Sequence, residues 1–321
     1  MFLNVLCFAI GLILLIKGGD WFVDGATGVA KKFHLPDIIV GATVVSIGTT
    51  LPEIMVSITG ALQGQGAMSY GNAIGSIICN TALIAAISVA CKPGAVNTKT
   101  MKMPVCFFFI AAAIYFFSAY VFGDFSRKLG FVLLGTFVLY MTLNIRHGLK
   151  HPEDAESEEH EQKSRKFWVE LVLLVVGAIV IAFGANLLVE NGTAIAKALG
   201  VPETVIALTL VALGTSLPEL ITTLTSLKKG HASLGIGNVI GANVFNLVLV
   251  SGVSVALAPF EVPVGKTLFG HNASLVLDIP LMIIVMLLLT VPALATKKLK
   301  RWQGITLLAI YAAFCLFQFA A

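Results

Sequence analysis

The chain has 321 residues, of which 57% are hydrophobic and 12% are charged, and its formal net charge is +4. Because soluble domains carry about 25% charged residues, this composition excludes an ordinary soluble protein. The basic residues lie in loops between apolar runs, so the net charge does not indicate a nucleic-acid partner. Apolar runs of about 20 residues fit a bilayer core about 30 Å thick and predict an all-α polytopic membrane protein.

Ten transmembrane helices are predicted. We interpret the N-terminal apolar run as the first of them, because it lacks the basic segment and cleavage site of a signal peptide. The predicted helices are 3–23, 37–62, 67–90, 104–122, 129–146, 168–190, 203–227, 232–256, 273–295 and 302–320.

Lysine and arginine residues are distributed unevenly among the predicted loops. Loops after odd-numbered helices hold 16 of them and loops after even-numbered helices hold 4, with Lys17 inside the first helix. Because loops rich in lysine and arginine stay in the cytoplasm, this distribution predicts cytoplasmic loops after the odd-numbered helices and both termini outside.

The longest hydrophilic stretch, 147–167, separates a first half, 1–146, from a second half, 168–321. This stretch is acidic, which predicts a solvated cytoplasmic linker. Each half contains five predicted helices. Because five is an odd number, the second half enters the membrane in the opposite sense to the first, as in an inverted repeat.

The two halves share a duplicated stretch, 40–84 and 206–250, in which matching positions are 166 residues apart without a gap. Gly-Thr-Thr-Leu-Pro-Glu at 48–53 corresponds to Gly-Thr-Ser-Leu-Pro-Glu at 214–219. Gly-Asn-Ala-Ile-Gly at 71–75 corresponds to Gly-Asn-Val-Ile-Gly at 237–241. Inverted repeats are a recurring plan of secondary transporters, whose binding site lies at the membrane midplane where the repeats meet.

A proline falls inside a predicted helix in each half, at Pro52 and Pro218. Proline removes one helical hydrogen bond and clashes with the carbonyl one turn earlier, so each helix is expected to open there. Opened backbone at membrane depth is tolerated only where it faces protein or a watery cavity. Two breaks at matching positions therefore predict a binding site.

A carboxylate stands next to each proline, Glu53 and Glu219. An acidic side chain near the bilayer centre costs about 2.5–3.5 kcal/mol, which packing does not explain at two duplicated positions. Together the two carboxylates match one divalent or two monovalent cations. Neighbouring hydroxyls complete an all-oxygen ligand set, which suits Ca²⁺ and Na⁺, whereas the lack of histidine and cysteine near these motifs disfavours zinc and copper.

The following helix of each half adds polar groups. Ser76 and Asn80 are four residues apart and share a helix face, and Ala242 and Asn246 occupy the equivalent positions. Hydrogen bonding between helices and ion coordination both remain open for Asn80 and Asn246, and their duplication favours coordination.

Other polar or small residues in the apolar runs are expected to serve packing or local pairing. Asn72 and Asn238 are expected to hold the backbone, and the glycines at 71, 75, 237 and 241 to allow close helix contact. The first helix also carries charges, Lys17, Asp20 and Asp24, that are expected to pair or to extend to the membrane surface.

The duplicated motifs resemble the α-repeats of the calcium/cation antiporter superfamily, with the prokaryotic Na⁺/Ca²⁺ exchanger type as the best match. The resemblance extends over essentially the whole chain. It implies a Ca²⁺ site formed by Thr49, Glu53, Thr215 and Glu219. It also implies Na⁺ sites formed by Thr50, Ser76, Asn80, Ser216, Asn246 and the backbone carbonyls of Ser46 and Ala212. The first and sixth helices would slide as a pair to alternate access.

Two positions depart from that family pattern. Exchangers of this type usually have serine where this chain has Ala242, and often have aspartate where it has Asn246. The Ca²⁺ residues are intact, so the departures concern the Na⁺ stoichiometry and the identity of the driving ion.

The sequence thus predicts a secondary active antiporter that exchanges Ca²⁺ for Na⁺, with Ca²⁺/H⁺ antiport as the alternative. A cation channel fits a single-chain inverted repeat with broken helices less well. An intramembrane enzyme is disfavoured because HExxH and GxSxG motifs are lacking. No cofactor is expected, since Ca²⁺ and Na⁺ are transported ions. The expected partners are these ions, with H⁺ as an alternative, and the lipid bilayer. A monomer would suffice, and a prokaryotic plasma membrane is the expected location.

Overall fold

Long apolar helices make up most of the fold. The computed structural model describes residues 2–33, 35–64, 66–150, 166–199, 212–264 and 267–320. The helices of the first half are α1 (Phe2–Lys32), α2 (Asp37–Thr49), α3 (Leu51–Leu62), α4 (Gly66–Cys91), α5 (Thr98–Phe122) and α6 (Arg127–Lys150). Those of the second half are α7 (Phe167–Ala198), α8 (Ala212–Thr215), α9 (Leu217–Lys228), α10 (Ala232–Leu257), α11 (Ser274–Thr296) and α12 (Arg301–Ala320).

Within the described residues, seven single helices are long and apolar enough to cross a membrane, and α2 with α3 qualifies as a bent pair. The chain is therefore a polytopic α-helical membrane protein. Two of the ten predicted spans are not among these candidates. The predicted span 203–227 lies partly outside the described residues, and the predicted span 302–320 corresponds to α12, which is 20 residues long.

Several helices extend beyond the ends predicted from hydropathy. Helix α1 continues to Lys32 and α7 to Ala198, because their small residues remain helical where the two helices pack together. Helix α6 continues to Lys150, so the predicted linker 147–167 begins as helix. The next part of that linker, 151–165, lies outside the described residues.

The sequence duplication is reproduced in the helix boundaries. Helix α3 spans Leu51–Leu62 and α9 spans Leu217–Lys228, which are the same positions 166 residues apart. The starts of α4 and α10, Gly66 and Ala232, have the same separation. The backbone repeat therefore includes the broken helix and the helix that follows it in each half.

Three of the helices that surround the breaks contain a π-helical turn, at Gly41–Val45 in α2, Asn80–Ala85 in α4 and Asn246–Val250 in α10. Such turns displace backbone carbonyls and are frequent at functional sites. In α2 side chains satisfy the displaced carbonyls. The Tyr140 hydroxyl donates to the Ala42 carbonyl at 2.7 Å, and the Ser46 hydroxyl donates to the Gly41 carbonyl at 2.8 Å.

The buried apolar residues form two separate hydrophobic cores. The larger lies mainly among α4, α5, α6, α10 and α11. The smaller joins α1 to α7 and includes Val40, Val45 and Leu234 from neighbouring helices. Helices α1 and α7 touch along their length through glycines, and a Cβ at Gly11 would lie 2.9 Å from the Gly184 carbonyl oxygen. The α1–α7 pair thus forms a layer with its own core.

Three short antiparallel strand pairs connect the loops. Strand β1 (Gly94–Ala95) pairs with β6 (Lys298–Leu299), with Gly94 opposite Leu299. Strand β2 (Asp124–Phe125) pairs with β3 (Phe260–Glu261), and β4 (Thr267–Leu268) forms a hairpin with β5 (His271–Asn272). The first two pairs each join a loop of the first half to a loop of the second.

Candidate cation-binding site

The α2–α3 helix breaks where the proline predicts. The two segments meet at Thr50 with a bend of 48°. Thr50 has φ −82° and ψ 0°, and its counterpart Ser216 before α9 has φ −89° and ψ 5°. Both residues lie in the sparsely populated bridge region of backbone conformation. Pro52 and Pro218 fall in the first turn of the helix that follows, so the Gly48 and Gly214 carbonyls lack their usual helical donors.

The two glutamates next to the breaks are fully buried and close to each other. Glu53 and Glu219 have 0% exposure, and their carboxylates are near enough for their charges to interact. None of their four carboxylate oxygens forms a hydrogen bond of normal length and angle within the described residues, although two threonine hydroxyls lie beside Glu219. Since an unpaired buried charge is far more costly than a paired one, the two carboxylates are chemically suited to a cationic partner.

Hydroxyl groups of the first half surround Glu219. The side chains of Thr49 and Thr50 lie beside its carboxylate. The Thr49 hydroxyl donates its proton to the Asn238 side-chain oxygen at 3.1 Å, which leaves the Thr49 lone pairs for another partner. The Ser46 hydroxyl has a single proton, which it shares between the Gly41 carbonyl and the Asn238 backbone carbonyl at 3.0 Å, so Asn238 connects the second half to α2.

The two asparagines that begin π turns are also buried without partners. Asn80 and Asn246 have 0% exposure, and neither side-chain oxygen nor nitrogen has a described hydrogen bond. The π turn of Asn80 packs against α9, which carries Glu219, and the π turn of Asn246 packs against α3, which carries Glu53. Each half therefore places its asparagine against the glutamate helix of the other half.

The remaining predicted site residues differ in burial. Ser76 and Ser216 are 5% and 2% exposed. Ser216 lies next to the Cys79 thiol, so the prediction that no cysteine is near these motifs is wrong. Thr215 is half-buried at the end of α8. The Ser46 carbonyl accepts the Thr50 amide hydrogen at 3.0 Å, so only one of its lone pairs remains for an ion. Ala212, predicted to contribute its backbone carbonyl, lies in α8, and this contribution stays a prediction.

Asn72 and Asn238, predicted to hold the backbone, behave differently from each other. Asn72 donates to the Glu53 carbonyl at 3.0 Å and so holds the backbone as predicted. Asn238 instead uses its side-chain oxygen to accept from Thr49, which the sequence prediction missed. The repeated Gly-Asn motif identified both residues, but spacing alone does not specify which groups they contact.

The α1–α7 pair covers the breaks from one side. A narrow crevice there is lined by Phe22, Ala178, Ile181 and Ala182 of this pair, and by Gly48, Thr49 and Pro218 of the broken helices. A Cβ at Gly48 would lie 3.0 Å from the Phe22 ring. The ring therefore packs directly over the first break.

The donor set of this cluster is oxygen-rich. The described residues contain no group of three or more histidine, cysteine, aspartate or glutamate side chains able to hold a metal ion. Two carboxylates are instead combined with hydroxyl, amide and carbonyl oxygens. Hard cations prefer such ligands, and transition metals prefer nitrogen or sulfur.

Comparison with known proteins agrees with this arrangement. The chain matches the sodium/calcium exchanger protein family over residues 3–146 and 169–320. The chain belongs to this family. An uncharacterized membrane protein of Methanocaldococcus jannaschii is 38% identical over 314 residues, covering 97% of this chain and 96% of that protein. The sodium/calcium exchanger MaX1 of Methanosarcina acetivorans is 30% identical, covering 98% of each chain.

A solved structure of the sodium-calcium exchanger NCX_Mj, soaked with Na⁺ and Sr²⁺, superposes with a TM-score of 0.81 at 35% identity, covering 97% of both chains. This likeness extends over the whole polytopic bundle. The family consists of transporters rather than enzymes, so the protein is a cation-exchanging membrane antiporter.

Proposed function

We propose that this antiporter exchanges Ca²⁺ for Na⁺, with both ions competing for a site between Glu53 and Glu219. The observation that carries the proposal is the group of buried polar side chains without hydrogen-bond partners at the breaks. It comprises Glu53, Glu219, Asn80, Asn246, Thr50 and Ser216. An unsatisfied buried polar group costs about 1–3 kcal/mol, so a cluster of six is consistent with a site that binds ions.

The charge and chemistry of the cluster favour these two ions. Two carboxylates provide two negative charges, which one Ca²⁺ or two Na⁺ would balance. Ca²⁺ accepts irregular coordination by six to eight oxygens, which a cluster drawn from several helices can supply. The structures of NCX_Mj soaked with Na⁺ together with Ca²⁺ or Sr²⁺ support the same ions here.

The proposed architecture is ten transmembrane helices in two inverted five-helix repeats. It is supported by the matching boundaries of α3 with α9, and by the 166-residue offset between the starts of α4 and α10. Helix α12 would be the tenth span. Helices α8 and α9 would belong to the seventh.

Alternating access would be carried by the α1–α7 pair. This pair has its own hydrophobic core and covers both breaks through Phe22 and Ile181. A layer that packs mainly within itself can slide against the remaining helices without exposing its own core. Such a movement would uncover Glu53 and Glu219 first on one side and then on the other.

The remaining expectations are part of the same proposal. The protein would lie in a prokaryotic plasma membrane with both termini outside, as the distribution of lysine and arginine predicts. One chain contains both halves of the site, so a monomer would suffice. No cofactor is required, because the ions are cargo.

The second candidate is Ca²⁺/H⁺ antiport. It is favoured by one observation, the neutral Asn246 where a carboxylate would add an ion-binding charge. Two close carboxylates can also exchange a cation for protons, because like charges in proximity favour protonation of one of them.

Ion uptake into proteoliposomes separates these functions. Vesicles loaded with Na⁺ and diluted into Na⁺-free medium with Ca²⁺ should accumulate Ca²⁺, and matched vesicles with only a pH gradient should not. Saturation with Ca²⁺ concentration would distinguish an antiporter from a channel. Uptake driven only by the pH gradient would contradict the proposal and favour proton coupling.

A further inference from the structure

One face of α9 carries hydroxyl groups from Glu219 to the end of the helix. Thr222, Thr223 and Ser226 follow Glu219 at intervals of three, four and seven residues, which places all of them on one side of a helix. Each of these three residues is 0% exposed. Helix α9 ends at Lys228, so Ser226 lies in its last turn.

None of the three hydroxyls has a hydrogen-bond partner in the described protein. This is unusual among the helical hydroxyls here. Thr27, Thr43 and Thr290 each donate to the carbonyl four residues earlier, at 2.9, 2.7 and 2.6 Å. The hydroxyls of α9 could form the same bond but do not, so they are directed away from their own backbone.

The equivalent face of α3 is different. Val56, Ser57 and Gly60 occupy the three matching positions, so only one hydroxyl remains. The Ser57 hydroxyl accepts a hydrogen bond from the Asn72 side-chain nitrogen at 2.8 Å. Because the backbone repeat is preserved while the hydroxyls are not, the unpartnered face is a property of the second half alone.

Thr223, at one edge of this polar face, is held closely against the next helix. A Cβ at Gly235 of α10 would lie 3.2 Å from the Thr223 methyl carbon. The other edge of the face lies next to α1, where a Cβ at Gly19 would lie 3.0 Å from the hydroxyl oxygen of Thr225, three residues after Thr222. Movement of the α1–α7 pair would therefore alter the packing of α9 on one side while α10 supports it on the other.

We propose that Thr222, Thr223 and Ser226 line the route by which hydrated cations pass between Glu219 and the membrane face at which α9 ends. This proposal rests on the proposed function and names that face as the cytoplasmic one. The hydroxyls are closed to solvent in this conformation. When the bundle opens toward that face, they offer oxygens to a cation that has left Glu219 and still lacks part of its water shell. Neutral hydroxyls suit this task because they bind weakly enough to release the ion.

The test removes the hydroxyls while keeping similar side-chain shapes, in Thr222→Val, Thr223→Val and Ser226→Ala combined. The matched control is Thr225→Val, on the same helix but facing α1. Na⁺-driven Ca²⁺ uptake is measured in proteoliposomes, together with equilibrium Ca²⁺ binding and the melting temperature in detergent. We expect the maximal exchange rate of the triple variant to fall at least about tenfold, with Ca²⁺ affinity within about twofold of wild type, because the route acts on passage and not on Glu219. The control should retain wild-type exchange.

A different result would overturn the route. Exchange within twofold of wild type together with a raised melting temperature would show that the hydroxyls are packing groups that no ion passes. Their removal would then stabilise the fold, because a buried hydroxyl without a hydrogen bond costs free energy. If the triple variant does not fold, the exchange rate and the melting temperature are measured for the single variants Thr222→Val and Ser226→Ala, and the same two results decide between the route and dry packing. Absence of Na⁺-driven uptake by the wild type would instead contradict the proposed function, so the two failures are distinguishable.

Discussion

The two repeats have the same backbone plan but different side chains. Helices α3 and α9 begin and end at positions 166 residues apart, and Thr50 and Ser216 have nearly the same backbone angles. Yet Ser76 is matched by Ala242, and Gly60 by Ser226. The shared backbone explains why Glu53 and Glu219 lie close together as a pair. The differing side chains can give the two ends of the site, which face opposite sides of the membrane, different polar groups. Substitutions at matching positions separate these contributions.

The largest expected effect comes from the position at which the repeats agree. Glu53→Gln and Glu219→Gln each remove one of the two buried negative charges that balance the bound cation. We expect a cost of about 3–5 kcal/mol, which is roughly a 100-fold to 4,000-fold loss of exchange. Initial rates of Na⁺-driven Ca²⁺ uptake measure the loss. Glu190→Gln, at an exposed carboxylate of α7, is the control and should leave uptake unchanged. Near-normal uptake by either glutamine variant would remove that glutamate from the site.

The second effect concerns close packing between the repeats. A Cβ at Gly237 of α10 would clash with the Ile38 carbonyl oxygen, so Gly237→Ala must displace the backbone of α2. We expect it to lower the free energy of unfolding by about 1–3 kcal/mol. Gly135→Ala in α6 meets no described atom within 4 Å and should be neutral or stabilising. Thermal unfolding in detergent compares the two variants, and equal stability would contradict the close contact.

The third effect exchanges the side chains by which the repeats differ. Ser76→Ala makes the first half like the second, and Ala242→Ser does the reverse. If the Ser76 hydroxyl binds Na⁺, its loss should raise the Na⁺ concentration for half-maximal exchange about threefold to tenfold, as expected for one neutral ligand. Ca²⁺ affinity should change little. Unchanged Na⁺ dependence in both variants would exclude these positions from a Na⁺ site.

The smallest effect concerns an ion pair found in one repeat only. The Lys229 ammonium lies 2.6 Å from the Asp24 carboxylate and so connects α9 to α1. The matching residues are Gln63 and Glu190, which cannot form this pair. Because both charged side chains are partly exposed, a double-mutant cycle of Lys229→Gln and Asp24→Asn should give a coupling of about 1 kcal/mol or less. Purely additive effects of the two substitutions on the melting temperature would show that the pair contributes nothing.

Much of the fold was predictable because the hydrophobic runs and the duplication are both strong signals. They located the long helices, the break before Pro52 and the burial of Glu53. Helix ends were predicted less well. Helix α1 continues to Lys32 because its small residues pack against α7, and hydropathy does not report such contact.

The candidate site was predictable in residue type but not in every contact. Asn80 and Asn246 were identified by duplication, and both are buried without partners. The role of Asn238 toward Thr49 depends on how two helices cross, which spacing along one helix does not specify. The hydroxyls of Thr222 and Ser226 have no counterpart in the first repeat. The prediction was based on residues that the two repeats share, so it did not identify them.

Calcium binding to the purified protein tests most directly that one site is shared between the repeats. Isothermal titration in Na⁺-free detergent solution should give one Ca²⁺ per chain for the wild type. Glu53→Gln and Glu219→Gln should each abolish that binding, and added Na⁺ should weaken it in the wild type. Two Ca²⁺ per chain, with one retained in each glutamine variant, would contradict the account, because each repeat would then bind its ion independently.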